Sequence, residues 1–382
     1  MPYDILKYVA PILLCLSASC SIAMAKPSHI KDAQYPNLVA FFDKLRQGKH
    51  VTVAYLGGSI TWGATATDPL KTSYRALTTS YLENMYPNAH IKAIDAAIGG
   101  TGSLLGVFRM DRDVLPYHPD LTFVEFAVND GNEPTAQETM EGIIRKLQRS
   151  NPHMAIVVLL VGAGWNYGMT PSAAKHEALA RHYGLPVINV GNAVMAKLVQ
   201  GLDSHTILTD GTHPNDNGYR LYSSIVTNEL NRLIALKGTA VTSIPAPLTQ
   251  NRYETAGMVE LAKLTNLGDW QVTTPSVTGT WFDHQPSRWF SSVIMPAKDH
   301  ATLQFSLECR GVGVYYEIMH GGSVFHLSAD ELPSMDINTN MDLQYARIGY
   351  QFSMSNEVKT HMITLTCDER ENAKVAYVLY TR

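Results

Sequence analysis

The sequence predicts an α/β domain built on a mostly parallel sheet, followed by a smaller all-β module. Three observations carry that reading. From His50 to about Lys237, short aliphatic runs alternate with segments of helical period, the pattern left by strands joined through crossover helices. Around Thr239–Gln250 the pattern dissolves into a stretch containing Pro245 and Pro247, which reads as a linker. From about Trp270 onward period-2 alternation takes over, as expected of antiparallel strands in a sandwich or jelly-roll-like module. The division is therefore 26–238 for the α/β domain, 239–250 for the linker and 251–382 for the all-β accessory domain.

The elements follow in order. Val51–Leu56 is the first strand, and Tyr74, Leu77, Tyr81 and Met85 then mark one helix face that Pro87-Asn88 ends. Ile91–Ala97 is the second strand, with a helical stretch after it marked by Leu104, Leu105, Phe108 and Leu115. Leu121–Val128 reads as a buried third strand. Thr135-x-x-Glu138 has the form of a capping box ahead of the face made by Met140, Ile143, Ile144 and Leu147. Ala155–Val161 is strand four, and Thr170-Pro171 opens a helix that Gly184 closes. Val187–Val190 is strand five, and a long helix runs from about Asn215 to Leu236. In the second module Val312, Val314, Tyr316 and Ile318 share a face, as do Val375, Tyr377 and Leu379.

Composition narrows the function classes. The chain of 382 residues is 45% hydrophobic and 17% charged, which excludes a disordered protein. Its 30 Lys+Arg against 34 Asp+Glu give a net charge of −4 with no basic run, so there is no electrostatic footprint for nucleic acid. The apolar stretch Tyr8–Ile22 follows Lys7 and precedes Ala23-Met24-Ala25. That is the form of a signal peptide over 1–25 and of an exported protein, periplasmic or extracellular. The stretch is interrupted by Pro11 and shorter than the roughly 20 residues needed to span a bilayer, so no membrane span is expected in the mature chain. A lipoprotein acylated at Cys20 is the weaker alternative, since Ser17 stands where a large aliphatic residue is usual. Cleavage leaves Cys309 and Cys367, each sharing parity with the inward residues of its strand. An oxidising compartment would permit a Cys309–Cys367 disulfide; the other reading is two buried free thiols. The oligomeric state is not legible.

In an open α/β sheet ligands bind at the carboxyl ends of the strands. Strand one ends in Gly57-Gly58-Ser59-Ile60-Thr61, where two glycines permit a sharp turn that presents a serine hydroxyl. It is not a phosphate loop, because no lysine precedes the serine. Strand two is followed by Gly99-Gly100-Thr101-Gly102, whose N–H groups can face a ligand, and strand three delivers Asn129-Asp130-Gly131. Each of these alone serves a turn as well as a reaction. The fourth piece is Asp210-Gly211-Thr212-His213-Pro214, just before the last long helix, which supplies a carboxylate and an imidazole three residues apart. A hydrolytic serine needs such a base, and an acid to fix its tautomer. With 14 histidines in the chain, a lone His would carry little. Ser, Gly, Asn and Asp-x-x-His in this order, each at the predicted carboxyl edge, carries much more.

On these four blocks residues 50–235 resemble the SGNH hydrolases, or GDSL-type esterases. The resemblance implies a flavodoxin-like three-layer α/β/α domain and a Ser-His-Asp triad, with Ser59 as nucleophile, His213 as base and Asp210 as orienting acid. It further implies an oxyanion hole from the N–H of Ser59, the N–H of Gly100 and the Asn129 amide, and chemistry that needs no metal or other cofactor. Between the adjacent Gly99 and Gly100, motif alignment favours Gly100. The first block reads Gly-Gly-Ser-Ile where the family name advertises Gly-Asp-Ser-Leu, so position 58 has no carboxylate.

The implied reaction is hydrolysis of an ester through an acyl-enzyme. An exported member with an all-β appendage resembles the polysaccharide-deacetylating esterases, so the expected partner is an acetylated glycan. Trp165, after strand four, and Trp62 are the substrate-binding candidates. Trp281-Phe282 and Trp289-Phe290 could serve as sugar platforms or as core. A lipase or thioesterase is the alternative enzyme, and a glycan-binding protein with a dead hydrolase domain is the non-enzymatic one.

Overall fold

The computed structural model describes residues 32–162, 167–168, 170–276, 289–342, 347–370 and 373–382. The leader over 1–25, Trp165 and Trp281-Phe282 lie outside the described residues.

The first domain is a five-stranded parallel sheet. Its strands are β1 His50–Gly57, β2 His90–Ala97, β3 Leu121–Glu125, β4 Ala155–Leu160 and β5 Val187–Asn189. They lie in the order β2-β1-β3-β4-β5, so the strand order reverses beside β1 and leaves a crevice at the carboxyl ends of β1 and β3. Both faces of the sheet are covered. One packs against α1 Pro36–Arg46, α3 Tyr74–Met85, α7 Val190–Val199 and α8 Asp216–Leu233. The other packs against α4 Ser103–Asp113, α5 Pro134–Ser150 and α6 Pro171–His182. A one-turn helix, α2 Ser59–Trp62, follows β1 directly.

Local chemistry sets the helix starts. Thr170 caps α6 by accepting the Ala173 N–H at 3.1 Å, with Pro171 in the first turn. Asn215 caps α8 by accepting the N–H groups of Asn217 and Gly218. The capping box expected at Thr135 does not form. Helix α5 begins instead at Pro134, whose fixed φ suits the first helical position, which puts Thr135 inside the helix and frees Glu138 to accept from Arg252. Helix α7 follows β5 without a loop, capped by the Asn189 side chain. That is why the fifth strand stops at Asn189 rather than at Val190.

The second domain is an eight-stranded sheet of β6 Gly257–Glu260, β7 Trp270–Thr273, β8 Val293–Pro296, β9 Ala301–Ile318, β10 Val324–Ala329, β11 Leu332–Asn338, β12 Arg347–Cys367 and β13 Val375–Thr381. The order is β11-β10-β12-β9-β13-β8-β7, with β6 beside β13, and the pairs are antiparallel. The long pair β9/β12 carries an irregularity: Met354 faces Gly311 and Lys359 faces Cys309. Such an insertion bends the strands and re-aims their side chains. On one side of it, Tyr315 of β9 and Phe352 of β12 join the core of the first domain. On the other, Leu303, Ile363 and Leu365 fill the β domain's own core.

The two domains therefore share a hydrophobic cluster. Phe108 of α4 is fully buried, with its ring 4.9 Å from Phe352 and 6.0 Å from Tyr253. Arg112 of the same helix donates to the Trp289 carbonyl and, at 3.3 Å, to the Tyr377 hydroxyl. Trp289 and Phe290 are each 1% exposed within this cluster, which makes them core and not sugar platforms. The segment between the domains is tied down as well. Glu141 accepts the N–H groups of Leu248 and Thr249, and Arg145 donates to the Pro245 carbonyl at 2.8 Å.

Cys309 and Cys367 are free and buried. On β12, Lys359 faces Cys309, and Cys367 itself lies eight positions further along. At ~3.3 Å per residue the two thiols are separated by about 26 Å, far beyond disulfide reach. Of the two readings the structure holds the two buried free thiols: inward parity put both cysteines in one core, but at opposite ends of it.

Two measurements check this arrangement. Phe108→Ala should cost about 3–5 kcal/mol in chemical denaturation, the range for a large aromatic lost from a core, and should lower the stability of both domains in one transition. Alkylation of the unreduced chain in denaturant should modify both Cys309 and Cys367.

Candidate active site

The crevice beside β1 is where the four sequence blocks converge. β1 runs without interruption into Gly57-Gly58, and α2 then starts at Ser59, whose Oγ lies 2.9 Å from His213 Nε2. His213 Nδ1 lies 2.9 Å from Asp210 Oδ2. The Asp210 Oδ1 atom accepts the N–H groups of Thr212 and His213, at 2.7 and 2.6 Å, so the carboxylate organises its own turn. Burial pushes the Asp210 carboxyl up, but the His213 ring, the two N–H donors and the His213 charge outweigh it and hold the group below the usual range. Ser59 and His213 are 5% and 6% exposed. A hydroxyl, imidazole and carboxylate in this series can move the serine proton to the ring and hold the charge that results.

The neighbouring loops supply donors. Asn129 lies in the turn after β3 and is exposed, with its N–H bonded to the Phe126 carbonyl. Its side-chain Oδ1 sits only 2.2 Å from where a Cβ on Gly58 would be, so the amide packs directly over the glycine that precedes Ser59. Gly57 is equally enclosed, since a Cβ there would meet Thr61 Oγ1 at 2.4 Å. In the loop after β2, Gly99 is buried while Gly100 is exposed with φ 72°, a left-handed conformation that favours glycine. Thr101 closes that loop by donating to the Ile98 carbonyl at 2.8 Å. Trp62, on α2, is 9% exposed and packs with Ala64 and Ala97.

Four ionisable side chains that the motif reading passed over hold this assembly from beneath. Arg109, fully buried on α4, donates to the carbonyls of Ala96 and Gly57 and pairs with Asp113 at 2.9 Å. It thereby ties the carboxyl ends of β1 and β2 together. Arg75 of α3 donates to the Thr61 and Trp62 carbonyls at 3.3 Å and pairs with Asp95. Asp130 accepts the Ser103 N–H at the start of α4 at 2.8 Å, and its other oxygen lies 3.0 Å from the ring of the buried His176. Glu125, the last residue of β3, is 1% exposed and accepts the Thr61 hydroxyl at 2.8 Å. Burial pushes the Glu125 carboxyl up to about 7 against the opposing pull of Thr61 and the Gly58 N–H, and the Asp130 charge adds to the rise. The signal for Glu125 was present in the sequence, as a lone carboxylate inside the otherwise buried run Leu121–Val128.

Comparison with known proteins gives three findings. The model of the GDSL-like lipase/acylhydrolase family matches residues 55–221. Among solved structures, a two-domain esterase, CEX, active on acetylated mannans and co-crystallised with mannopentaose, aligns with a TM-score of 0.76 and 24% identity. That alignment covers 92% of this chain and 95% of the other. A second structure of a two-domain esterase (CEX) active on acetylated mannans gives a TM-score of 0.75 at 24% identity, over 92% and 96%. The likeness therefore extends through both domains, and at this identity it is one of fold. No curated protein matches the sequence at a significant level.

The packing at position 58 can be tested directly. Gly58→Ala should leave the fold intact yet displace the Asn129 amide, because the new methyl group would overlap it. The circular dichroism spectrum should stay that of the wild type, while a crystal structure of the variant should show the Asn129 side chain moved away from position 58.

Proposed function

We propose that this protein, whose residues 55–221 match the model of the GDSL-like lipase/acylhydrolase family, is an exported serine esterase that removes O-acetyl groups from a polysaccharide or oligosaccharide. The observation that carries the chemistry is the series from Ser59 Oγ through His213 to Asp210, with each gap at 2.9 Å, beside the Asn129 turn that packs on Gly58.

In this reading Ser59 Oγ attacks the ester carbonyl as its proton passes to His213 Nε2. Asp210 Oδ2 stabilises the imidazolium through Nδ1. The N–H groups of Ser59 and Gly100 and the amide of Asn129 receive the charge that develops on the carbonyl oxygen. Collapse of the tetrahedral intermediate expels the sugar hydroxyl, which takes its proton from His213 and leaves an acetyl group on Ser59. Water, deprotonated by His213, then releases acetate. Every proton in this cycle is carried by His213, and the residues named require no metal.

The substrate class is supported by the architecture. The fold shared with a two-domain esterase active on acetylated mannans runs the length of both domains, which favours an acetylated glycan over a lipid. The leader-like segment Tyr8–Ile22 supports export. Among the described residues no helix is long and apolar enough to cross a membrane.

Ser59→Ala should abolish release of acetate from p-nitrophenyl acetate and from acetylated polysaccharides. Asn129→Ala should lower kcat by about 10²–10³. A wild-type preference for long acyl chains over acetate would overturn the substrate assignment, and a Ser59→Ala protein of normal rate would overturn the mechanism.

A further inference from the structure

Beneath the turn that carries Ser59 lies a carboxyl group with no counter-charge among the described residues. Glu125 is 1% exposed, and its Oε1 atom has no hydrogen-bond partner among the described residues. Its Oε2 atom meets the hydroxyl of Thr61, which in turn lies 2.9 Å from the hydroxyl of Tyr74. Thr61 and Tyr74 are 0% and 1% exposed. Thr61 belongs to the same helical turn as Ser59, so the carboxyl is two contacts from the nucleophile.

The Thr61 hydroxyl and the Gly58 N–H favour the ionised form, but the charged groups around Glu125 leave its charge unmatched. From α3, Arg75 is engaged with Asp95 at 2.8 Å and with backbone carbonyls, and Tyr74 offers a neutral hydroxyl. From α4, Arg109 is engaged with Asp113 and with the carbonyls of Gly57 and Ala96. From α8, Tyr219 and Tyr222 face Glu125 as neutral phenols, each held far from ionisation by burial. Tyr55 of β1 is bonded to Thr79. Among the described residues the one further charge acting on it is Asp130, of the same sign as an ionised Glu125. A carboxylate in such a setting is costly, whereas a neutral acid is not. The hydroxyl chain accommodates the neutral form as well: the acid can donate to Thr61, and Thr61 to Tyr74.

We propose that Glu125 is a positioning residue for Ser59, competent as the neutral acid: it seats the Gly58–Thr61 turn against the end of β3, and its ionisation unseats that turn. An uncompensated charge there could be relieved only by admitting water or a cation under α2, which would shift Ser59 away from His213. The upward displacement of its ionisation described above agrees with this. The inference rests on Ser59 acting as the nucleophile.

The test is the pH dependence of Glu125→Gln, which keeps the shape and cannot ionise. On p-nitrophenyl acetate, the ratio of variant to wild-type kcat should rise by at least about tenfold between about pH 6 and pH 9 through a single inflection, with the KM ratio flat. Contributions of His213 cancel in that ratio. Thr61→Val removes a donor that favours the ionised form, so its own kcat profile should be displaced upward in pH. A ratio that is flat with pH, while Ser59→Ala remains inactive, overturns the proposal and leaves the nucleophile in place. A normal rate in Ser59→Ala instead refutes the nucleophile assignment. Infrared difference spectroscopy gives a reading independent of activity and of the folding of Glu125→Gln. Wild type should show a carboxylic acid C=O band that disappears as pH rises through neutrality, and Thr61→Val should shift its midpoint upward. The lack of such a band above pH 5, or one insensitive to Thr61→Val, also overturns the proposal.

Discussion

The absence of space above the first strand is the constraint on which the rest of the site depends. At Gly57 and Gly58 a methyl group would overlap Thr61 and Asn129 respectively. Closing those positions brings three otherwise separate pieces into contact: the end of β1, the start of α2 and the turn after β3. The strand order makes this possible, because β1 and β3 are immediate neighbours at the point where the order reverses. A side chain at position 58 would hold Asn129 off and open the crevice. The Gly-Gly-Ser form of the first block is thus matched to the Asn129 turn, and the two have to be read as one unit.

Around that contact the protein buries several ionisable side chains. Arg109, Arg75, Asp130 and Glu125 lie under the reactive edge, and the first three each hold a backbone group as well as, or in place of, an opposite charge. Buried ions are a poor means of raising stability, since their desolvation offsets much of the attraction. Their use here fits geometry better than stability: each one fixes the end of a strand or the start of a helix that delivers a site residue. Ser59, Asn129 and Gly100 come from three different loops, and without those ties each loop would be free to move on its own.

Much of this was legible in the sequence, and the parts that were not have physical reasons. The five strands announced themselves through aliphatic runs, Ser59 and Asn129 through turns placed after two of those runs, and Asp210 and His213 through the Asp-x-x-His spacing just before the last helix. The helix at Val190–Val199 was hidden because it begins at the residue where the strand ends, leaving no loop composition to mark the change. The box at Thr135 was misread because Pro134, one residue earlier, decides the start. The cysteine parity was right for each strand but silent on register, and register alone separates the thiols. The charged residues below the site carry no motif, since what makes them important is the carbonyl or N–H they meet across the fold.

The cluster around Phe108 changes what the second domain is. Helix α4 begins at Gly102-Ser103, beside the crevice, and carries Phe108 and Arg112 into the β domain at its other end. One rigid rod of three turns therefore spans from the reactive edge to the neighbouring sheet. An α/β domain cut away at the connecting segment would uncover the apolar side of that rod, a surface suited to self-association rather than to solution. The chain is better regarded as one enzyme body with two kinds of secondary structure than as a catalytic unit with a detachable appendage. Grafting either half onto another partner would require carrying the Phe108–Phe352–Tyr253 contact along with it.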